Sequence, residues 1–307
     1  MRVLVTGGAG FLGAWVARRL LAAGHQVRIF DRSQDRRLVH SILSDAATVE
    51  WCHDDITQAE AVESAAEGCG GIVHLAAMLT PACQANPVLG AQVNLIGTLN
   101  VFEAAKRHRI RSVTYASSAG VFGADDGAIP YPDTHYGAFK LACEGSARAY
   151  WHDAGIGSVG FRPLVIYGPG REVGGSAGPT IACRKALAGE AYAIPFTGET
   201  DMIYVDDVAA AFEAAVTRTI AGAHVFNLRG EVTTVTRILA EIEALVPGAR
   251  LSAAGGSLPV TAHIAAHDTS SVLGPLPHTS LREGLSRTVQ YYRDRLEAQR
   301  EGQRQAS

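Results

Sequence analysis

In the stretch DTHYGAFKLACE a tyrosine and a lysine stand four residues apart, at Tyr136 and Lys140. On a helix, positions i and i+4 share a face, with Cβ atoms about 5–6 Å apart. A free phenol, with a pKa of about 10, is a poor base at neutral pH. A neighbouring ammonium favours the phenolate and makes its proton movable. Ser117 and Ser118 lie upstream in YASSAGVFG, with Ser118 18 residues before Tyr136. A hydroxyl there can hold the oxygen of a substrate alcohol or carbonyl. The set reads as proton traffic at a hydroxyl that is being oxidised or re-formed. Such chemistry needs a hydride carrier.

The carrier's cradle is legible at the other end of the chain. TGGAGFLG, residues 6–13, follows the apolar run RVLVT and opens a helical stretch. Gly7, Gly10 and Gly13 are spaced so that backbone N–H groups can approach a pyrophosphate at a helix N-terminus, with Phe11 and Leu12 completing the turn. No Gly-Lys-Ser/Thr follows, which disfavours a P-loop. Asp31 ends the next strand, 18 residues beyond Gly13. A carboxylate there accepts both hydroxyls of an adenosine ribose and repels a 2′-phosphate, which favours NAD over NADP. Arg32, beside it, could instead partner a phosphate. Asp55 and Ile56 stand where an adenine could be held, and Leu75, Ala76 and Ala77 stand along the cofactor's path.

These residues need a scaffold that gathers strand ends on one edge. Runs at 2–6, 26–31, 48–54, 71–77 and 112–118 read as strands, and 11–24, 58–66 and 90–108 as helices. A sixth run, SVGFRPLVIYG at 158–168, reads as one further strand. The alternation predicts an α/β fold, a Rossmann-type doubly wound parallel sheet with a smaller, partly discontinuous C-terminal substrate-binding region. Ligands then sit at the carboxyl ends of the strands. The expected division is a dinucleotide-binding domain at 1–168 with a returning segment near 200–230. A substrate-binding region at 169–295 follows, and a frayed polar tail at 296–307.

The chain has 307 residues, 27 Lys and Arg against 30 Asp and Glu, and a net charge of −3. That balance offers no nucleic-acid footprint and no polybasic membrane surface. No apolar run approaches the ~18 residues of a membrane span. Five cysteines without a CxxC pair read as reduced thiols in a cytoplasmic protein. No histidine spacing predicts a metal site.

Taken in order, the glycine loop, Asp31, Asp55, HLAA, VNLIGT (93–98), SSAGVFG, Tyr136-x-x-x-Lys140, RPLVIYGPGR (162–171) and YVDDVA (204–209) resemble the extended short-chain dehydrogenases/reductases. More narrowly, they resemble the NAD-dependent epimerase/dehydratase family. The resemblance covers about residues 1–295. It implies a catalytic Ser118, Tyr136 and Lys140, NAD as cofactor, and Asn94 and Pro163 near it. It also implies a homodimer built on the helices near 90–108 and 135–155. Thr80, Ser117, Arg171 and Arg184 are the candidate substrate contacts.

Three departures bear on the substrate. The span from Ser118 to Tyr136 is short for the family, Val165 replaces the Asn of Arg-x-x-Asn, and Thr200 and Ala265 stand where nucleotide-sugar epimerases carry diphosphate-gripping arginines. An unpaired buried diphosphate is costly. The sequence therefore predicts an NAD-dependent dehydrogenase/reductase acting on a small non-nucleotide secondary alcohol or its ketone, such as a polyol, sugar acid or hydroxy acid. The alternative is a sugar or nucleotide-sugar epimerase that retains its NAD. A non-catalytic NAD sensor would have no need of the Ser-Tyr-Lys set.

Overall fold

The structure is a computed structural model that describes residues 1–43, 46–124 and 127–306. The polar tail expected at 296–307 is helical through Ala306, and its last residue, Ser307, lies outside the described residues. The chain divides into two units. The first comprises Met1–Leu164, Asp206–Leu228 and Pro259–Pro277, and the second Val165–Val205, Arg229–Leu258 and His278–Ser307.

The first unit is a seven-stranded parallel sheet. Its strands are β1 (Arg2–Thr6), β2 (Gln26–Asp31), β3 (Glu50–His53), β4 (Gly71–His74), β5 (Ser112–Ala116), β6 (Gly157–Arg162) and the later strand Ala223–Asn227. Across the sheet the order is Ala223–Asn227, β6, β5, β4, β1, β2, β3, every pair parallel. The order reverses between β1 and β4, and there the strand ends diverge to leave a crevice. Helices α1 (Phe11–Ala22), α2 (Arg37–Ile42), α3 (Ala59–Ala66), α4 (Thr80–Ala85), α5 (Pro87–Ala91), α6 (Gly97–Arg107) and α7 (His135–Ala154) connect the strands. Val3, Leu4, Val5, Ile29, Ile72 and Phe161 are fully buried, as strands covered on both faces require. Short α2 and α4 carry too few turns to show a period in the sequence. Between α5 and α6 the residues Gln92–Ile96 form a π-helical turn, a local widening often found at functional sites.

The run expected as one strand at 158–168 is two. β6 ends at Arg162, and Val165–Tyr167 pairs with Glu199–Tyr204 in the other unit. Pro163 separates them, having no N–H to donate to a ladder.

The second unit holds a three-stranded sheet ordered Glu231–Thr234, Glu199–Tyr204, Val165–Tyr167, and a parallel pair, Tyr192–Ile194 with Leu251–Ala253. Helices Gly178–Leu187, Val235–Leu245 and Leu281–Ala306 belong to it. The hydroxyl of Thr234 caps the second of these by accepting from Arg237 N. Among the described residues no helix is long and apolar enough to cross a membrane, no cluster of three or more His, Cys, Asp or Glu could hold a metal ion, and all five cysteines are free thiols.

Candidate active site

The glycine loop is shaped by close backbone approach. Gly7 has φ +68°, and a Cβ on it would sit 2.6 Å from Ala76 N, at the end of β4. A Cβ on Gly13 would meet Gly7 O at 2.6 Å, so α1 starts directly beneath the loop. Asp31 ties this arrangement together. Its Oδ2 accepts from Ala9 N at 3.0 Å and its Oδ1 from Ser33 N at 2.8 Å. A cavity of about 240 Å³ opens there, lined by Gly7, Gly10, Asp31, Arg32, Asp55, Ile56 and Leu75–Ala77, and also by Phe30, Asp54, Met78 and Val93. The first nine of these residues are where the sequence reading placed a dinucleotide. Glycines that admit no Cβ, a half-buried carboxylate and an apolar floor fit an NAD adenosine and pyrophosphate.

Phe11, Leu12 and Gly13 open α1 without lining the cavity. Asn94 does not line it either. It is fully buried in the π-helical turn, its Oδ1 accepting from Met78 N at 3.0 Å and its Nδ2 donating to Met78 O at 2.9 Å. It thus clamps the loop after β4 rather than reaching out to the crevice. Met78 and Val93 are wall residues that the sequence reading missed. Their signal was adjacency, Met78 to the HLAA run and Val93 to Asn94.

A buried histidine orders the same loop. His74 Nε2 lies 3.0 Å from Thr98 Oγ1, whose proton goes to Asn94 O at 2.6 Å. The histidine therefore donates at Nε2 and accepts at Nδ1 from Thr6 Oγ1, 2.7 Å away. Burial, and secondarily the Lys140 charge, pulls its pKa down from 6.5 to about 3.

The chemical edge is built by β5 and α7. Thr134 caps α7 by accepting from Gly137 N at 3.0 Å, which fixes where the helix begins. A Cβ on Gly137 would lie 2.2 Å from Gly120 O, so the helix docks onto the loop after β5 only because residue 137 is glycine. The same docking brings Ser118 and Tyr136 together. A Cβ on Gly120 would be 3.2 Å from Ser118 Oγ and 3.9 Å from Tyr136 Cδ1. Lys140 is 2% exposed, its Nζ 2.6 Å from Ala116 O and 5.7 Å from the Tyr136 ring centroid. Ser118 accepts from Gly120 N at 3.0 Å, and Ala119 N donates to Pro163 O at 3.1 Å, drawing Pro163 to the same edge. A half-buried phenol with an ammonium on its face and a serine hydroxyl alongside can pass a proton to or from a substrate oxygen.

Ser117 points elsewhere. It is 2% exposed and donates to Glu144 Oε1 at 2.5 Å. Thr80 lines a second cavity of about 440 Å³ with Gln84, Pro132, Asp133, Thr134, His135 and Ala138. Among the described residues no lysine or arginine lines it. Arg171 and Arg184 belong to the second unit. There Arg171 Nη2 donates to Ser176 Oγ at 3.4 Å and Arg184 pairs with Glu172 at 3.5 Å. Thr200, also in that unit, is fully buried on its strand. Ala265 lies in the first unit, its carbonyl accepting from Asn227 Nδ2 at 2.8 Å.

This geometry has a counterpart among known proteins. Residues 3–228 match the model of the NAD dependent epimerase/dehydratase family. The chain belongs to that family. The UDP-glucose 4-epimerase of Mycolicibacterium smegmatis is 31% identical over 96% of this chain and 99% of its own length. A 2-alkyl-3-oxoalkanoate reductase of Stenotrophomonas maltophilia is 30% identical over 83% of this chain and 78% of its own. Among solved structures, the UDP-glucose 4-epimerase of Thermotoga maritima with UDP-glucose superposes with a TM-score of 0.83 at 26% identity, covering 96% of this chain and 100% of that one. The Thermus thermophilus UDP-glucose 4-epimerase complex with NAD gives 0.79 at 26% identity, covering 95% and 99%. Membership makes the protein an NAD-dependent enzyme. It also moves the balance from net dehydrogenation, the first expectation from the sequence, toward the epimerase alternative.

Proposed function

We propose that this family member is an NAD-dependent carbohydrate epimerase that inverts one secondary alcohol through its ketone. The carrying observation is the end-to-end likeness to the mycobacterial UDP-glucose 4-epimerase, together with the Ser118–Tyr136–Lys140 arrangement. NAD, when bound, supplies the hydride acceptor and then the donor. Tyr136 takes the proton of the reacting hydroxyl and returns it after inversion. Ser118 orients the oxygen, and Lys140 holds positive charge against the phenol ring. Asp31 claims the adenosine ribose, which favours NAD over NADP.

A second reading, net oxidoreduction of a small non-nucleotide alcohol or ketone, is favoured by Thr200 and Ala265. These stand where the resemblance places arginines for a diphosphate, and unpaired buried charge costs several kcal/mol per ion. One experiment separates the two. The protein is given UDP-glucose, free sugars and aldonates with NAD, and 3-oxo acids with NADH, in turn. Epimer formation without net NADH supports the epimerase, and stoichiometric NADH formation or loss supports the second reading. A homodimer in the cytoplasm completes the proposal. It is supported by the free thiols and by exposed Val88, Leu89 and Ile96 on α5 and the adjoining turn, and sedimentation tests the dimer.

A further inference from the structure

Beneath the chemical edge lies an ion pair to which the reaction assigns no part. Arg162 grips Glu144 with two nitrogens, Nε to Oε1 at 2.7 Å and Nη2 to Oε2 at 2.5 Å. Ser117 donates its hydroxyl to the same Oε1. All three side chains are buried, with Glu144 at 8%, Arg162 at 9% and Ser117 at 2% exposure. Their places in the chain are what matter. Ser117 precedes Ser118 at the end of β5. Arg162 precedes Pro163 at the end of β6. Glu144 lies one turn beyond Lys140 and two beyond Tyr136 on α7. One carboxylate thus ties three elements, each within one residue or one helical turn of a group that meets substrate or cofactor. The tie continues outward, from Arg162 Nη1 to Asn227 Oδ1 at 3.4 Å and from Asn227 to Ala265 O and His267 Nδ1.

We infer that Glu144, held by Arg162 and Ser117, is a positioning residue that sets the register of α7 against β5 and β6 and so fixes the Lys140–Tyr136 alignment. The inference rests on the reading of Tyr136 and Lys140 as the acid–base pair. α7 is also held by Thr134 and Gly137 at its start, by Lys140 Nζ on Ala116 O at 2.6 Å and by the Tyr150 hydroxyl on Glu103 at 2.7 Å, but each of these is a single bond or a packing contact, whereas Glu144 is gripped at both oxygens. A bidentate Arg–carboxylate fork is directional, whereas packing alone is not. Breaking one half of the pair would leave a buried charge. Removing both charges at once is often tolerated.

The test is therefore the double substitution Glu144→Gln with Arg162→Met, read without any substrate. The phenolate band in the near ultraviolet is titrated with NAD bound, and subtraction of the Tyr136→Phe curve isolates Tyr136. The double variant is expected to unfold at the native urea midpoint, to bind NAD within about threefold of the native protein, and to titrate Tyr136 at least half a pH unit higher. A native Tyr136 titration in a folded, NAD-binding double variant overturns the inference. Should the double variant fail to fold, Ser117→Ala decides, since it keeps the ion pair and removes one bond. A rise in the Tyr136 midpoint supports the clamp, and an unchanged midpoint overturns it. Lys140→Met runs alongside. If that change leaves the Tyr136 midpoint in place, the acid–base reading itself fails. If it moves the midpoint while the clamp variants do not, only the role of Glu144 fails.

Discussion

The two ends of the crevice are made of different materials. At the nucleotide end the contacts are backbone: glycines at 7 and 13 that leave no room for a Cβ, and amides at Ala9 and Ser33 held by one carboxylate. At the chemical end they are side chains, a phenol, an ammonium and a hydroxyl delivered by a capped helix and a strand end. Binding a diphosphate-linked cofactor asks for shape and many N–H groups, which almost any sequence offers if the chain can approach closely enough. Moving a proton asks for particular functional groups. Substitutions at the first end should therefore alter affinity and folding together, and those at the second end should alter rate alone.

The sharpest way to break this contrast is Tyr136→Phe. Turnover should fall about 10²–10⁴-fold, the usual contribution of general acid–base catalysis, with NAD affinity and the unfolding midpoint unchanged. Stopped-flow rates beside isothermal titration measure both, and a parallel loss of NAD binding would erase the distinction. Next in size is Gly7→Ala at the opposite end. The left-handed φ costs 1–2 kcal/mol by itself, and the Ala76 backbone cannot yield to a Cβ at 2.6 Å. NAD affinity should fall about 100-fold, equivalent to about 2.7 kcal/mol, and urea should unfold the variant earlier. Retained affinity would mean that the loop relaxes more freely than its packing implies.

Asp31→Ser sharpens the comparison within the nucleotide end, because it alters a side chain where backbone dominates. The NAD-over-NADP preference, measured as a ratio of dissociation constants, should narrow about tenfold or more as charge repulsion disappears. An unchanged ratio would move cofactor discrimination away from Asp31. The smallest effect concerns His74, beneath the same loop. Its folded-state pKa of about 3 lies below the unfolded value of 6.5. The unfolded chain therefore binds a proton that the folded one refuses. Stability is complete above about pH 6.5 and is lost as pH falls toward 3, at about 1.4 kcal/mol per unit. Urea titrations at pH 8 and 5.5 should show this slope in the native protein and lose it in His74→Gln.

Much of the nucleotide end could be read from the sequence because its signals are local. A glycine pattern between an apolar run and a helix, followed by a strand ending in Asp31, specifies its own surroundings. Tyr136 and Lys140 were equally plain, since helix periodicity puts them on one face. What escaped depended on partners distant in sequence. SVGFRPLVIYG is largely apolar on both sides of Arg162, yet its halves pair with Ala223–Asn227 in one sheet and Glu199–Tyr204 in another. Only long-range pairing reveals that Pro163 is a break. Ser117 and Ser118 are chemically identical neighbours just past the end of β5, yet one hydroxyl goes to Glu144 and the other, on extended backbone, to Gly120 N at the edge. Asn94 was set near the cofactor by the resemblance alone, and nothing local in VNLIGT tells where its amide points. The π-helical turn instead commits both ends of its amide to Met78.

The order of the sheet has a consequence for how the protein is made. β6 is flanked on one side by β5, which precedes it, and on the other by Ala223–Asn227, which lies far downstream. A ribosome adding ~5–20 residues per second leaves β6 with an open hydrogen-bonding edge for several seconds. The residues made meanwhile belong largely to the second unit. An unpaired apolar strand is a template for aggregation. A nascent chain halted near residue 200 would carry β1 to β6 with that edge bare. Such arrested chains are the species on which a chaperone or a protease would act first.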